Sequence, residues 1–211
     1  MNNNYCTIYL VRHGESEANV AGLHGLDTKL TETGKKQAKL LAQQFKKIHF
    51  DAIFSSPLVR AKETAAIIAE EHKLEVLTKE ALRERNEGIL DGKAAKDMSI
   101  EFEKMYNMRI DLPYQTWKTM SLAEGYETDE NLMSRFITTL REIAVAYPAK
   151  TVLIGSHVGL MKTFLVHLGI NTHKNLPAKM VKNTAFIKLK TDGIDFFVEE
   201  TNAIKPIKDT L

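Results

Sequence analysis

A single cysteine, Cys6, is all the sulfhydryl chemistry in these 211 residues. No intramolecular disulfide can form, and no cluster of thiolates can hold a metal. The five prolines and eleven glycines form no linker, and there is no internal repeat or low-complexity segment. No apolar run approaches the roughly 20 residues that a membrane-spanning helix needs. The opening residues, MNNNYC, lack a basic stretch followed by an apolar one, so no secretory signal is read and a cytoplasmic location is expected. An excess of one charge is missing too: 29 Lys and Arg stand against 27 Asp and Glu, for a formal charge of +2. Neither a nucleic acid nor a membrane surface is an expected partner, since no basic stripe with interleaved aromatics appears. Any anion site must be local. The absence of a GxxxxGK[ST] loop, or of any glycine-rich turn after the first apolar run, speaks against a nucleotide-binding protein.

What remains is ordinary globular composition, 44% hydrophobic and 27% charged, in a length that suits one domain. Thr7 to Val11 (TIYLV) reads as a buried strand: short, apolar, β-branched and ended by Gly14. Thr31 is placed to cap a helix in which Ala38, Leu41, Ala42 and Phe45 share one face. FDAIFSS is a second strand stopped by Pro57, followed by a helix from Leu58 to about His72. LEVLT, from Leu74 to Thr78, is a third strand. Asp129 to Val145 is a helix with Leu132, Phe136, Leu140 and Ile143 inward. TVLIG, from Thr151 to Gly155, is another core strand, and LMKTFLVHLG another helix. AFIKLK and IDFFVEE form a hairpin around Asp192-Gly193, and the end, NAIKPIKDTL, reads as a solvated tail. Strands alternating with helices predict an α/β fold, a mostly parallel sheet with helices on both faces.

In such a sheet ligands sit beyond the carboxyl ends of the strands. The strand ends here carry unusual cargo: Arg12-His13-Gly14, then SSPLVRAKET with Arg60 in a helix's first turn, then LRERNEG with Glu84 and Arg85, then GSHVG with His157. Arg12 and Arg60 can share the oxygens of one phosphoryl group through their planar forks. A neutral imidazole is a nucleophile toward phosphorus, and neighbouring guanidiniums keep it neutral. A second imidazole can donate to the charge that develops, and a carboxylic acid can protonate the leaving alkoxide and then activate water. The set is complete for phosphoryl transfer without a metal or other cofactor.

The segments LVRHGESEAN, LTETGKKQA, SSPLVRAKETA, LRERNEG, GYET and GSHVG also resemble, in order, the signatures of the histidine phosphatase superfamily, the phosphoglycerate mutase-like family. The resemblance runs from about residue 5 to about residue 190. It implies a six-stranded, mainly parallel sheet between helices in a three-layer sandwich. It makes His13 the phosphorylated nucleophile, Arg12 and Arg60 the phosphate-binding arginines, His157 the second histidine, Glu84 the proton donor and Asn19 a phosphate contact. The expected domain is one, over residues 1–211, with an insertion at about 92–125 above the active site. Glu87 is the alternative acid if the loop register differs.

Two departures stand out. Val158 follows His157 where the family usually has glycine, and Gly125-Tyr126-Glu127-Thr128 replaces the common GES while keeping Glu127. The mutases of this family carry paired arginines in a longer insertion; here that stretch offers Arg109 alone, with scattered Lys93, Lys96, Lys104 and Lys118. The expected activity is therefore metal-independent hydrolysis of a small phosphorylated metabolite. Cofactor-dependent phosphoglycerate mutase and a non-catalytic phospho-ligand binding module are the alternatives. The insertion's aromatics and methionines could form an apolar lip, and its lysines could suit a second anionic group. His24 is read as a surface residue near the pocket, and His49, His72, His167 and His173 as surface or helix residues whose spacing matches no zinc site. No feature of the sequence reports an oligomeric state.

Overall fold

The computed structural model describes residues 4–94, 97 and 100–205. The strands are β1 (Cys6–Arg12), β2 (Ala52–Ser55), β3 (Val76–Thr78), β4 (Thr151–Ser156), β5 (Val181–Thr191) and β6 (Phe196–Ile204). The helices are α1 (Glu17–Ala21), α2 (Glu32–Phe45), α3 (Val59–His72), α4 (Ile100–Asp111), α5 (Tyr114–Trp117), α6 (Asp129–Ala146) and α7 (Val158–His167). The strands form one sheet in the order β3-β2-β4-β1-β5-β6. The first four are mutually parallel, and β5 runs antiparallel to both β1 and β6.

Side chains alternate across β1, and so the two layers of helices are built from neighbouring residues. Ile8 and Leu10 join the core under α6 and α7, with Leu132, Phe136, Leu140 and Phe164. Tyr9 and Val11 join the opposite core under α2 and α3, with Leu41, Phe45, Ala65 and Ile68. Both strand faces are covered, which is why β1 and β4 read as continuous apolar runs rather than alternating ones. The three-layer α/β arrangement is the expected one.

Thr31 caps α2 as expected, and Thr128 caps α6 in the same way. The Thr31 hydroxyl accepts from Gly34 N at 3.0 Å, and Thr128 accepts from Asn131 N at 3.2 Å at the start of α6. Two regions depart from expectation. Strand β5 starts at Val181, not Ala185, after a register shift against β6 and a positive φ of 56° at Thr184. Asn202 to Ile204 belong to β6 instead of a solvated tail, with Ile204 buried against the core; the remaining residues of that tail, 206–211, lie outside those described, as does Lys96. Among the described residues no helix is long and apolar enough to cross a membrane.

Candidate active site

Strands β1 and β4 pair in parallel with Arg12 opposite Ser156, so their next residues, His13 and His157, emerge together at the carboxyl edge of the sheet. The two rings lie 5.4 Å apart between centroids, and the His13 N–H donates to the Ser156 carbonyl at 3.0 Å. Gly14 is demanded by the close crossing of α2: a Cβ there would sit 2.5 Å from the Gly34 carbonyl oxygen.

The partners of His13 settle its tautomer. Nδ1 lies 2.7 Å from the Gly14 carbonyl oxygen, which can only accept, so Nδ1 carries the hydrogen. Nε2 lies 3.2 Å from Nε of Arg60, which can only donate, so Nε2 presents its lone pair. Burial, then Arg60 and Arg12, hold His13 well below the usual imidazole range. His157 is held low by the same burial, then by Arg60, His13 and Arg12, and neither of its buried ring nitrogens has a hydrogen-bond partner. Two neutral imidazoles therefore stand beside two guanidiniums.

Arg60 reaches this point because α3 begins directly after β2, which pairs with β4. Its Nη1 donates to the Leu26 carbonyl at 2.9 Å and lies 3.7 Å from Asp27. The guanidinium of Arg12 donates to the Val181 carbonyl, and burial brings it down to about 10. Glu84 approaches from the loop after β3. Its Oε1 accepts from Arg85 N at 2.9 Å and Leu160 N at 3.1 Å, and its Oε2 accepts from Gly159 N at 2.8 Å. A carboxylate at the first turn of α7 meets free N–H groups and the positive end of the helix dipole. Glu127 is occupied elsewhere, held by Arg135 at 2.7 Å and accepting from Asn86 N.

Asn19 is exposed and completes a capping box with Ser16 at α1. It connects to the histidine loop through Asn183, whose Nδ2 donates to Asn19 Oδ1 and to the His13 carbonyl, both at 3.2 Å. Asn183 carried no signal in the sequence, because only the irregular start of β5 brings it here.

Next to this cluster lies a cavity of about 540 Å³. Glu84, Val158 and Gly159 form the wall it shares with the histidines, while Phe102, Tyr106, Asn107 and Arg109 of α4 line it from above. The stretch between Gly92 and Gly125 thus supplies part of the cavity's lining, though Trp117, far from forming a lip, is buried. Val158 lines the cavity from the first turn of α7. His24 also lines the cavity and pairs with Glu87 at 3.0 Å, which raises its pKa; Glu87 is thereby engaged away from Glu84's position.

The larger correction concerns His173. It is no surface residue: it is buried, with Nε2 3.2 Å from Asp129 Oδ2 and Nδ1 3.4 Å from Arg109. Burial takes it down to about 4, so it stands neutral, donating from Nε2 and accepting at Nδ1. Asp129 also receives Arg85 Nη2 at 2.6 Å. Its own burial opposes ionisation, but His173 and the two arginines bring it to about 2. Lys162 of α7 faces the same space, buried, and burial with Arg109 nearby lowers it to about 8. A lysine in an apolar helix is the one signal that could have flagged this cluster. Among the described residues no group of three or more His, Cys, Asp or Glu side chains is arranged to hold a metal ion.

Comparison with known proteins gives the family and agrees with the fold. The profile of the histidine phosphatase superfamily (branch 1) matches residues 8–204. The chain is 33% identical over 170 residues to phosphoserine phosphatase 1 of Hydrogenobacter thermophilus, covering 79% of this chain and 78% of that one. A phosphoserine phosphatase of Entamoeba histolytica, crystallised with 3-phosphoglyceric acid, superposes with a TM-score of 0.74 at 25% identity, covering 93% of this chain and 96% of that chain. A phosphoglycerate mutase of Bacillus anthracis has the same fold, with a TM-score of 0.77 at 24% identity over 96% and 94% of the two chains.

Proposed function

This chain belongs to the histidine phosphatase superfamily, and on that premise we propose that it is a phosphomonoesterase that hydrolyses a small phosphorylated metabolite through a phosphohistidine at His13. The observation that carries this reading is the tautomer of His13: Nδ1–H is tied to the Gly14 carbonyl, and the Nε2 lone pair is aimed at the place where Arg60 would hold a phosphoryl group.

In the first half-reaction Nε2 forms a bond to phosphorus as the bond to the leaving oxygen breaks, and Arg60 moves its donors from Nε2 to the phosphoryl oxygens. Arg12 and Arg60 carry the charge of those oxygens, and His157 donates to one of them as it develops. Glu84 gives its proton to the leaving alkoxide. Its two oxygens accept three backbone N–H groups between them, and Oε2, with one such partner, has a lone pair left for that proton. In the second half-reaction water attacks phosphorus, returns a proton to Glu84 and releases orthophosphate from His13. Asn19 and Asn183 fix the loop that carries His13. Every charge the reaction needs comes from these side chains, so the reading requires no metal.

The test is phosphate release from a panel of monoesters in EDTA, with His13→Ala alongside. Phosphoserine comes first because a relative bears that name. Release that survives EDTA and disappears in the variant supports the reading. Conversion of 3-phosphoglycerate to 2-phosphoglycerate that depends on the bisphosphate would move the protein to the mutases. Inactivity on every ester would leave a phospho-ligand binding module.

A further inference from the structure

Arg135 stands in the second turn of α6, behind the loop that follows β3 and away from the cavity. It lines a separate groove there with Lys79, Ala81, Asn131 and Thr138. Its guanidinium makes five hydrogen bonds, so every N–H it has is used. Nε donates to Glu127 Oε1 at 2.7 Å and Nη2 to Oε2 at 2.9 Å, the bidentate pairing that a planar fork allows. Nη1 donates to the carbonyls of Ala81 at 2.7 Å and Arg83 at 2.8 Å, and Nη2 to that of Glu84 at 3.1 Å. Among the described residues no backbone N–H donates to those three carbonyls.

Glu127 fastens the other side of the same loop. Its Oε2 accepts from Asn86 N at 3.1 Å, its N–H donates to the Asn86 carbonyl at 2.8 Å, and its carbonyl accepts from Arg85 Nη1 at 2.5 Å. Glu84 lies between the two attachments. It follows the short 3-10 turn Glu80–Leu82 and belongs to no helix or strand, so its backbone has no regular ladder to hold it. A proton donor is sensitive to this: a misplacement of about 1 Å can cost about 10²-fold. The carboxylate meets the amides of Gly159 and Leu160 only while that backbone stays at the right distance from α7. Lysine in place of Arg135 would keep the charge, but its donors share one atom and cannot span three carbonyls and a carboxylate.

We propose that Arg135, paired with Glu127, is the positioning residue for the proton donor. It clamps the loop from Ala81 to Asn86 so that the Glu84 carboxylate stands at the first turn of α7. Arg135 touches neither substrate nor the reacting atoms, and acts through Glu84 alone. This rests on the phosphatase reading, in which Glu84 protonates the leaving group, but the placement of Glu84 can be measured apart from turnover.

The experiment compares kcat on O-phosphoserine and on p-nitrophenyl phosphate for the parent, Arg135→Lys, Glu84→Gln and the double variant. A misplaced acid penalises the ester with the poorer leaving group, so Arg135→Lys should lose about tenfold more on phosphoserine than on p-nitrophenyl phosphate. In the Glu84→Gln background the same change should lower both alike, because no proton donor remains to be misplaced. A merely structural role would lower both esters by one factor in the parent background, and that result would overturn the proposal. Glu127→Gln leaves the three carbonyl bonds in place and serves where Arg135→Lys does not fold; it should shift the ratio the same way by about threefold. A second measurement needs no turnover. Amide hydrogen exchange at Gly159 and Leu160, which donate to Glu84, should be about tenfold faster in Arg135→Lys, with Ile154 in the centre of β4 unchanged. Exchange at Gly159 and Leu160 equal to the parent's would also overturn the proposal. Failure of the phosphatase reading looks different: the parent would release phosphate from neither ester, while exchange at Gly159 and Leu160 would still decide whether Arg135 places Glu84.

Discussion

Glu84 fills the space that a side chain on residue 159 would need. A Cβ built on Gly159 would lie 2.5 Å from Glu84 Oε1, while the Gly159 N–H donates to Oε2 at 2.8 Å. The glycine at the second place after His157 is therefore explained by the carboxylate, not by the backbone, and Val158 can occupy the first place because its side chain turns into the cavity wall.

Gly159→Ala should consequently damage catalysis without unfolding the protein. The added methyl displaces Glu84 from the helix terminus, and general acid–base assistance is worth about 10²–10⁴-fold. We expect kcat on an alkyl phosphate to fall about 100-fold, with thermal stability close to the parent. Steady-state kinetics beside a melting curve check this. Activity within threefold of the parent would mean that Glu84 moves freely or carries no proton.

Glu84→Gln separates the proton from the position. The amide preserves the volume but cannot protonate an alkoxide. The loss should be large on phosphoserine, whose leaving group is a poor one, and smaller on p-nitrophenyl phosphate, whose leaving group is stable as an anion. Equal losses on the two substrates would remove Glu84 from the role of proton donor.

The sheet and its cargo were legible for a simple reason. Short apolar runs ending at Arg12, Ser55 and Ser156 are buried on both faces, and a run of that kind has few alternatives to a central parallel strand. The nearby motifs then fell at adjacent strand ends. Val181 and Asn183 were not legible, because a positive φ at Thr184 and a register shift decide where they point. Nor was the cluster around Asp129. His173, Arg85, Arg109 and Lys162 come from four separate segments, and all but Lys162, set in the apolar run of α7, look like surface residues in their own context; only tertiary packing buries them together. Local pattern reports which face is apolar, not which polar groups a tertiary contact will cover.

His157→Gln should alter the acid response of stability. The folded ring stays neutral well below the usual imidazole range, while the unfolded chain takes up a proton near 6.5. Between those values the unfolded state binds more protons, so stability falls as pH falls. The slope approaches about 1.4 kcal/mol per pH unit for one such group. Urea unfolding from pH 7.5 to 5 should show the variant losing less stability than the parent across that range. Parallel curves would indicate that His157 is protonated in the folded protein.

Asp129→Asn tests what holds the cationic cluster together. The carboxylate receives Arg85 at 2.6 Å and His173 at 3.2 Å, and lies 3.9 Å from Arg109. Removing one partner of a buried ionic network leaves uncompensated charge, a loss of about 3–5 kcal/mol. At pH 7 we expect a loss of that size in urea unfolding, and adding Lys162→Met should recover part of it, since one fewer buried cation then lacks a partner. The pH dependence has a definite sign. Asp129 is brought from 3.8 to about 2 in the folded chain, so its contribution is complete above 3.8 and disappears as pH falls toward 2. The variant and the parent should therefore differ most at neutral pH and converge in strong acid. A variant as stable as the parent at pH 7 would mean that the arginines find other partners.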